Sequence, residues 1–187
     1  MDFLIDEEEP DELVVSVEEQ KLFSRVDGGE EDELIGQLIR AVTQEAEDVC
    51  HRHFARRRVH LLADLPAAGD LVLPVLPVSG IASVKVDGDE IDQDLYSVSM
   101  PSSQGRRARP AVIRPLDGFP EEGSLRIECF AGGWTPQPVV TWIKTRVSTL
   151  YEQRESHAMF NTGLKFVELG RDYAMALLDP YIVHGGF

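Results

Sequence analysis

The sequence predicts an α+β protein, in which a helical bundle of two N-terminal and two C-terminal helices carries an inserted small antiparallel β-domain. Apolar residues recur with the 3.6-residue period of amphipathic helices towards both ends of the chain. Between these parts, short alternating runs are separated by proline and glycine, which is typical of an antiparallel sheet. The predicted order is therefore helix, helix, β-insertion, helix, helix.

Length and composition limit the class of protein. The 187 residues suit one domain, or one domain with an insertion, and a hydrophobic content of 43% is enough for a core. No apolar run approaches the length of about 18 residues that a membrane span needs. The N-terminus is acidic and lacks the basic region of a signal peptide. Because Cys50 and Cys129 do not make a disulfide framework, we expect an intracellular protein with free thiols.

The net charge of −15 is unevenly distributed. Acids dominate the first 50 residues, and bases cluster later in the chain. A chain this acidic is a poor ligand for nucleic acid, because phosphate neutralisation needs cations. The clustered bases are either solvated charge or contacts with an acidic partner or a neighbouring subunit. The second interpretation gives a candidate basic patch of Arg56, Arg57, Arg58, Arg106, Arg107 and Arg109.

The N-terminal region divides into an arm and a short helix. Residues 1–15 are rich in acids and include a proline, which predicts an acidic flexible or extended arm. Ser16 and Glu19 form a capping box, in which the serine hydroxyl accepts a hydrogen bond from the glutamate amide. A helix of about three turns to Arg25 follows. The glycines within residues 26–29 are predicted to end it.

The long second helix is predicted over residues 30–54. It has one apolar stripe, acids in its first turn and bases at its end, which complement the helix dipole. Cys50 and His53 lie three residues apart, on one face of this predicted helix. Two ligands do not make a zinc site, so we predict no metal site and expect Cys50 to be a buried core residue.

The middle of the chain, residues 57–136, is predicted as the β-rich insertion. The segment Ile81–Val86 alternates and ends at Asp87-Gly88, which is a strong hairpin signal. Other short runs of β type predict further strands at Val59–Leu62, Leu71–Leu73, Tyr96–Met100, Ala111–Arg114 and Leu125–Phe130.

The C-terminal part returns to helical patterns. Pro138 suits the first position of a third helix, and a fourth helix is predicted from about Glu168 to Asp179-Pro180. Residues 16–56 and 137–180 together form the predicted helical domain. The remaining tail is apolar and too short to be a core element, so it is a candidate docking segment. Its residues are Tyr181, Ile182, Val183, His184, Gly185, Gly186 and Phe187.

The sequence contains no recognisable catalytic motif. A nucleophile elbow, a phosphate loop, a dinucleotide fingerprint and a zinc-protease helix are all missing from it. We therefore predict a non-enzymatic protein with no catalytic residues and no cofactor. A small enzyme or metal-binding protein with a helical frame remains the alternative.

Several short segments resemble the head–tail connector (adaptor) proteins of long-tailed DNA phages and gene transfer agents. The resemblance begins with the cap from Ser16 to Glu19, continues through the turn Arg25-Val26-Asp27, and includes Asp32-Glu33-Leu34-Ile35 at the start of the long helix. The chain departs from the family at Ile182, where the family often has a base. Further matching segments are Cys129–Gly133, Pro138–Val140, Tyr151–Glu155 and Leu177–Tyr181.

This resemblance implies a structural subunit of a virion or phage-like particle that assembles in the host cytoplasm. The family forms a ring, typically of twelve copies, that joins the portal protein to the tail stopper, the tail terminator or the tail tube. The helical part would build the ring, and residues 181–187 would reach into the portal. DNA would pass through the lumen during packaging and ejection without sequence-specific binding, and no membrane is involved. A tail-side completion protein, such as a stopper, is the second alternative.

Overall fold

The chain forms two compact units in a computed structural model that describes residues 2–65, 69–102, 108–156 and 175–184. The β-unit comprises Met1–Glu12, Arg52–Trp134 and Val183–Phe187. The helical unit comprises Leu13–His51 and Thr135–Ile182. Helices and antiparallel sheets are both present, which confirms the predicted α+β class.

The described part of the helical unit contains three α-helices. These are α1 (Val17–Ser24), α2 (Asp32–Cys50) and α3 (Gln137–Ser156). The predicted fourth helix lies largely outside the described residues, which resume at Met175 and lead into a 3₁₀ turn over Asp179–Tyr181. No helix in the described ranges has both the length and the apolar character that a membrane span requires.

Helix α1 begins as its sequence predicts and ends slightly earlier. The Ser16 hydroxyl accepts a hydrogen bond of 3.1 Å from the Glu19 amide. The helix ends at Arg25, which takes a left-handed conformation with φ of 57°. The amides of Arg25 and Val26 both return to the carbonyl of Lys21. The helix end therefore comes before the glycines, because this pair of hydrogen bonds already satisfies the carbonyl.

A buried glutamine joins α1 to α3. Gln20 is 1% exposed, and its side-chain nitrogen donates to the hydroxyls of Ser24 and Ser148 over 2.8 and 3.1 Å. It also donates to the Lys144 carbonyl over 3.2 Å. The two helices are thus connected by a polar contact in an interior position, where each hydrogen bond replaces one that water would otherwise make.

Helix α2 is shorter than the sequence predicts. His51 is left-handed, with φ of 51°, and ends the helix after Cys50. The backbone amide of His53 then donates to the carbonyl of Leu76 over 2.7 Å instead of continuing the helix. Cys50 and His53 therefore do not share a helix face. The apolar stripe itself is buried as predicted, at Ile35, Ile39, Val42, Ala46 and Cys50.

The described part of the β-unit contains two antiparallel sheets. Their strands are β1 (Leu4–Glu7), β2 (Arg57–Asp64), β3 (Leu71–Val72), β4 (Val78–Val86), β5 (Asp89–Glu90), β6 (Tyr96–Ser99), β7 (Val112–Pro115) and β8 (Ser124–Ala131). One sheet has five strands in the order β1-β2-β8-β4-β5, and the other has three in the order β3-β7-β6.

Both sheets contribute to one apolar core. Alternate residues of β2 and β8 point inward, so that Val59, Leu61, Leu125 and Ile127 are completely buried. The small sheet adds buried residues such as Ile113 to the same cluster. The predicted hairpin is confirmed at Asp87 and Gly88, whose positive φ values of 52° and 96° join β4 to β5.

The acidic N-terminal arm forms an edge strand. The sequence predicts residues 1–15 as a flexible or extended segment, but Leu4–Glu7 is paired with β2 in antiparallel register, with Leu4 opposite Leu62. Phe3 packs on the apolar core. The backbone then continues along β2 through hydrogen bonds of 3.0 Å from Glu8 and Asp11. The backbone edge of β2 thus supplies partners that the local sequence does not reveal.

Candidate interaction surfaces

The outward face of the five-stranded sheet carries cations, acids and apolar side chains together. Because side chains alternate along each strand, the residues between the core positions of β2, β4 and β8 point away from the core. Leu4 and Asp6 of β1 are aligned with them by the strand register. We call this surface the outer sheet face, and its residues are Arg58, His60, Leu62, Ser83, Lys85, Arg126, Glu128 and Phe130, with Leu4, Asp6 and the preceding Arg56.

Two arginines stack on one aromatic ring of this surface. The guanidinium carbon of Arg56 lies 4.5 Å from the centre of the Phe130 ring, and that of Arg58 lies 5.5 Å from it. Both distances are within the range of a cation–π interaction. Arg58 also forms an ion pair of 2.7 Å with Glu128. Arg56 is exposed and has no ion pair within the described ranges.

The same surface contains two cations side by side. Lys85 of β4 and Arg126 of β8 are direct cross-strand partners. Arg126 is exposed and Lys85 is half-buried, and neither forms an ion pair with a residue that the structure describes. Sequence reasoning missed both residues. Each lies on the outward side of its own alternating strand, but the register that brings them together is not visible in either strand alone.

The predicted basic patch is divided by the fold. Arg56 and Arg58 are exposed, whereas Arg57 points inward, is 5% exposed, and contacts Glu7 with its Nη1 atom 3.1 Å from Oε2. The alternation of β2 is the reason, since neighbouring residues face opposite sides of a sheet. Arg109 is exposed ahead of β7. The remaining predicted members, Arg106 and Arg107, lie outside the described residues.

The predicted docking tail begins with an anchored residue. Tyr181 is 6% exposed, and its amide donates to the Leu178 carbonyl over 2.8 Å. The Leu178 carbonyl also lies 4.0 Å from the thiol of Cys50 on α2. Tyr181 is therefore packed within the chain, whereas the sequence predicts that all of residues 181–187 form a docking segment. Ile182 and Val183 are half-buried, His184 is exposed, and Gly185, Gly186 and Phe187 lie outside the described residues.

A second surface lies on the exposed side of α1. Leu22 is 83% exposed and Phe23 is 48% exposed, although both are large apolar residues. Glu18 is one helical turn before Leu22, and Asp27 and Glu30 follow in the exposed loop after the helix. We call these five residues the α1 outer face. Sequence reasoning did not single it out, because an apolar residue in a short helix is normally expected to pack inward.

The described residues offer little for acid–base or metal chemistry. No group of three or more histidine, cysteine, aspartate or glutamate side chains in the described ranges is arranged to hold a metal ion. An open cavity of about 290 Å³ lies beside β7, and its lining includes Leu65, Leu71, Phe119 and the acids Asp117 and Glu121. Burial, assisted by the neighbouring Glu128 charge, raises the pKa of the Cys129 thiol from 9.0 to about 11. This thiol is therefore protonated at neutral pH and packs as an apolar core group.

Comparison with known proteins identifies the fold but no family. No family model matches the chain, and no curated protein matches it. One similar solved structure is a chain from the neck of an empty gene transfer agent particle, with a TM-score of 0.67, 16% identity, and coverage of 98% of this chain and 97% of that one. Another is a chain from the virion of a native gene transfer agent particle, with a TM-score of 0.68, 17% identity and the same coverage. At these identities the similarity establishes a shared fold.

Proposed function

We propose that this chain is a structural subunit of the neck of a phage-like particle, where it acts as a head–tail connector (adaptor). The observation that carries the proposal is the fold, which is shared over almost the full length of both chains with components of gene transfer agent particles, one of them from the neck. The connector-like segments at the starts of α1 and α2 support the same assignment from the sequence.

In this proposal the chain forms a ring, typically of twelve copies, between the portal protein and the tail stopper, terminator or tube. DNA passes through the ring in both packaging and ejection. The net charge of −15 suits such a passage, because an acidic lumen repels phosphate and lets the duplex slide without sequence-specific binding. The role requires no catalysis and no cofactor.

The C-terminal segment is the proposed portal contact. Tyr181 is buried and fixes the start of the segment, whereas His184 is exposed. We expect the residues from Ile182 to Phe187 to order against the portal, with Tyr181 acting as the anchor on the connector side. The exposed cations Arg56, Arg58 and Arg109, together with Arg106 and Arg107, are the proposed contacts with acidic surfaces of neighbouring copies or partners.

The direct test is electron cryo-microscopy of the purified chain mixed with the portal of the same particle. The expected result is a ring of this chain on the portal, with residues 182–187 ordered against the portal surface. A bare portal beside an isolated monomer would contradict the proposal. Metal analysis of the same preparation would then examine the enzyme or metal-protein alternative.

Variants of the tail locate the contact. Deletion of residues 182–187 leaves the buried Tyr181 in place, so the fold is expected to persist while portal docking is lost. The substitutions Ile182→Asp and Val183→Asp are expected to have the same effect by placing charge in an apolar contact. Val72→Asp is the matched control, since Val72 is 44% exposed on the small sheet. Unchanged docking by the tail variants would reject the tail assignment while leaving the connector role open.

A further inference from the structure

We propose that the outer sheet face of one copy binds the α1 outer face of a second copy, so that neighbouring subunits contact each other head to tail. The inference deepens the proposed function and rests on it, because it names the surfaces through which a ring of this chain would form. The outer sheet face supplies cations and exposed apolar groups. The α1 outer face supplies acids and the most exposed large apolar side chain of the described chain.

Three cations make the outer sheet face a site for an anionic partner. Arg56, Lys85 and Arg126 have no ion pair among the residues that the structure describes, although acidic residues outnumber basic ones in the chain by 33 to 18. Like charges directly opposite each other across two strands oppose sheet formation. The pairing of Lys85 with Arg126 therefore has a cost in the monomer. Because Glu90 of β5 already lies opposite Lys85, Arg126 is the cation with which an approaching carboxylate would pair.

The partner that best fits this surface is a protein of the same kind rather than DNA. The chain as a whole has a charge of −15, which repels a duplex before local contacts can form. The outer sheet face also contains acids, since Asp6 of β1 and Glu128 of β8 lie opposite His60 on the two sides of β2. A mixed surface with exposed apolar residues, such as Leu4 at 69% exposure, suits a protein–protein contact.

The α1 outer face has the complementary composition. Glu18, Asp27 and Glu30 are exposed and form no ion pair among the described residues. They are close in the chain to the exposed Leu22 and Phe23. The same segment also contains the exposed Arg25, and Lys144 Nζ lies 5.9 Å from the centre of the Phe23 ring. The acids and the exposed apolar residues of α1 are complementary to the cations and the apolar residues Leu4, Leu62 and Phe130 of the outer sheet face. Both the charged and the apolar parts of the two surfaces thus correspond.

The two surfaces are different from each other, and this determines the symmetry of the contact. One belongs to the β-unit and the other to the helical unit, so the two surfaces share no residue. Such a heterologous contact leads to a ring when the rotation between copies closes. An isologous pair, in which the same surface is used twice, would stop at a dimer and is not expected here.

The test uses two variants that each inactivate one surface of the full chain. The sheet variant carries Lys85→Ser and Arg126→Ser, and the helix variant carries Leu22→Ser and Glu30→Lys. The matched controls are Arg40→Ser with Arg114→Ser, and Asp48→Lys with Glu152→Lys, all at exposed positions outside both surfaces. Circular dichroism and thermal unfolding verify that each variant is folded. Sedimentation velocity measures self-association, both alone at high concentration and in the presence of the portal ring.

Each variant alone is expected to associate about tenfold or more weakly than the wild type, whereas the controls remain unchanged. An equimolar mixture of the two variants is expected to form pairs and no larger species, because the pair uses the one intact surface of each partner. This pairing is the result that a general loss of stability cannot produce.

Three results would overturn the inference. The first is normal self-association of either variant, and the second is a wild-type chain that does not associate with itself under either condition. The third is a sheet variant that associates normally but loses binding to duplex DNA, measured by fluorescence anisotropy, because DNA would then be the partner. Failure of the proposed function is distinct: self-association that depends on both surfaces, beside a bare portal, would support this inference and contradict the connector role.

Discussion

Lys85 on β4 and Arg126 on β8 are direct cross-strand partners on the outward face of the five-stranded sheet, so two positive side chains lie next to each other. On either side of this pair, Leu62 of β2 lies opposite Arg126, and Glu90 of β5 lies opposite Lys85. Pairs of like charge in this position oppose sheet formation, and pairs of opposite charge favour it. The pairing has consequences for the stability of the monomer that are separate from any association.

Replacing Arg126 by glutamate is expected to stabilise the isolated monomer. The change converts a like-charge pair into an opposite-charge pair with Lys85, which is worth about 0.5–1 kcal/mol. Urea unfolding at low salt measures the effect, which is expected to shrink at high salt as the charges are screened. Arg109→Glu is the control and should change the stability by less than about 0.5 kcal/mol. A destabilised Arg126→Glu variant would show that repulsion from Lys85 is not the dominant effect.

The anchoring of the N-terminal arm is expected to depend on Glu7 more than on Glu8. Glu7 contacts the inward-pointing Arg57 at 3.1 Å and His53 at 3.4 Å, whereas Glu8 contacts the more exposed His60 at 3.1 Å. Removing a carboxylate from a buried cation costs about 2–3 kcal/mol. Removing one from an exposed pair costs about 0.5 kcal/mol or less.

The measurement compares Glu7→Ala with Glu8→Ala by urea unfolding and by hydrogen exchange of the amides in Leu4–Glu7. Glu7→Ala should be the less stable of the two and should show faster exchange in β1. Equal stabilities would mean that the backbone pairing of β1 with β2, rather than the contact with Arg57, holds the arm.

The local features of the fold could be predicted because their causes lie within a few residues. The cap at Ser16 needs only the amide of Glu19, and the turn at Asp87-Gly88 needs only two residues that tolerate positive φ. The burial of the α2 stripe follows from its period. The sequence therefore predicts these three features correctly.

The features that were missed depend on partners distant in the sequence. The acidic sequence of the arm by itself indicates a solvated segment, but its strand pairs with β2, about 50 residues later in the chain. The end of α2 at His51 is similar, because the following chain finds a hydrogen-bond partner at Leu76. The two candidate surfaces combine residues whose proximity or exposure depends on packing. Neither the register of Lys85 and Arg126 nor the exposure of Leu22 is encoded in a local pattern.

Gly132 is expected to tolerate no side chain. A Cβ atom there would lie 2.2 Å from the Ala55 carbonyl oxygen, and the residue has φ of 68°. Gly132→Ala is therefore expected to cost more than about 3 kcal/mol, through the backbone clash together with the strained conformation. Gly88→Ala is the matched comparison, since it has φ of 96° but nothing within 4 Å of the added atom. It should cost about 1–2 kcal/mol.

Gly36 in α2 is expected to show the opposite effect on stability when it is replaced by alanine. It is an interior helix residue, and an added Cβ would make an ordinary contact of 3.8 Å with Val17. Gly36→Ala should therefore stabilise the chain by about 0.5–1 kcal/mol. Thermal or urea unfolding of the three variants ranks the effects, and a Gly132→Ala variant as stable as Gly88→Ala would show that the chain between β8 and α3 can move away from Ala55.

Cys129 is expected to make the protein less stable at alkaline pH. Burial raises the pKa of its thiol from 9.0 to about 11 in the folded chain. Between these two values the unfolded chain has lost the thiol proton and the folded chain has kept it. Because the unfolded state then binds fewer protons, the free energy of unfolding falls as the pH rises from about 9 to about 11. A shift of this size corresponds to a loss of about 2–3 kcal/mol across that range.

The measurement is urea unfolding of the wild type and of Cys129→Ala at several pH values between 8 and about 11. The variant is expected to be less stable at pH 8, because the substitution leaves a small cavity in the core. Its stability should fall less steeply with pH than that of the wild type. Other alkaline groups, including Tyr96 with its raised pKa, are present in both proteins and cancel in the comparison. Parallel pH profiles for the two proteins would contradict the assignment, since the thiol would then ionise equally in the folded and unfolded chains.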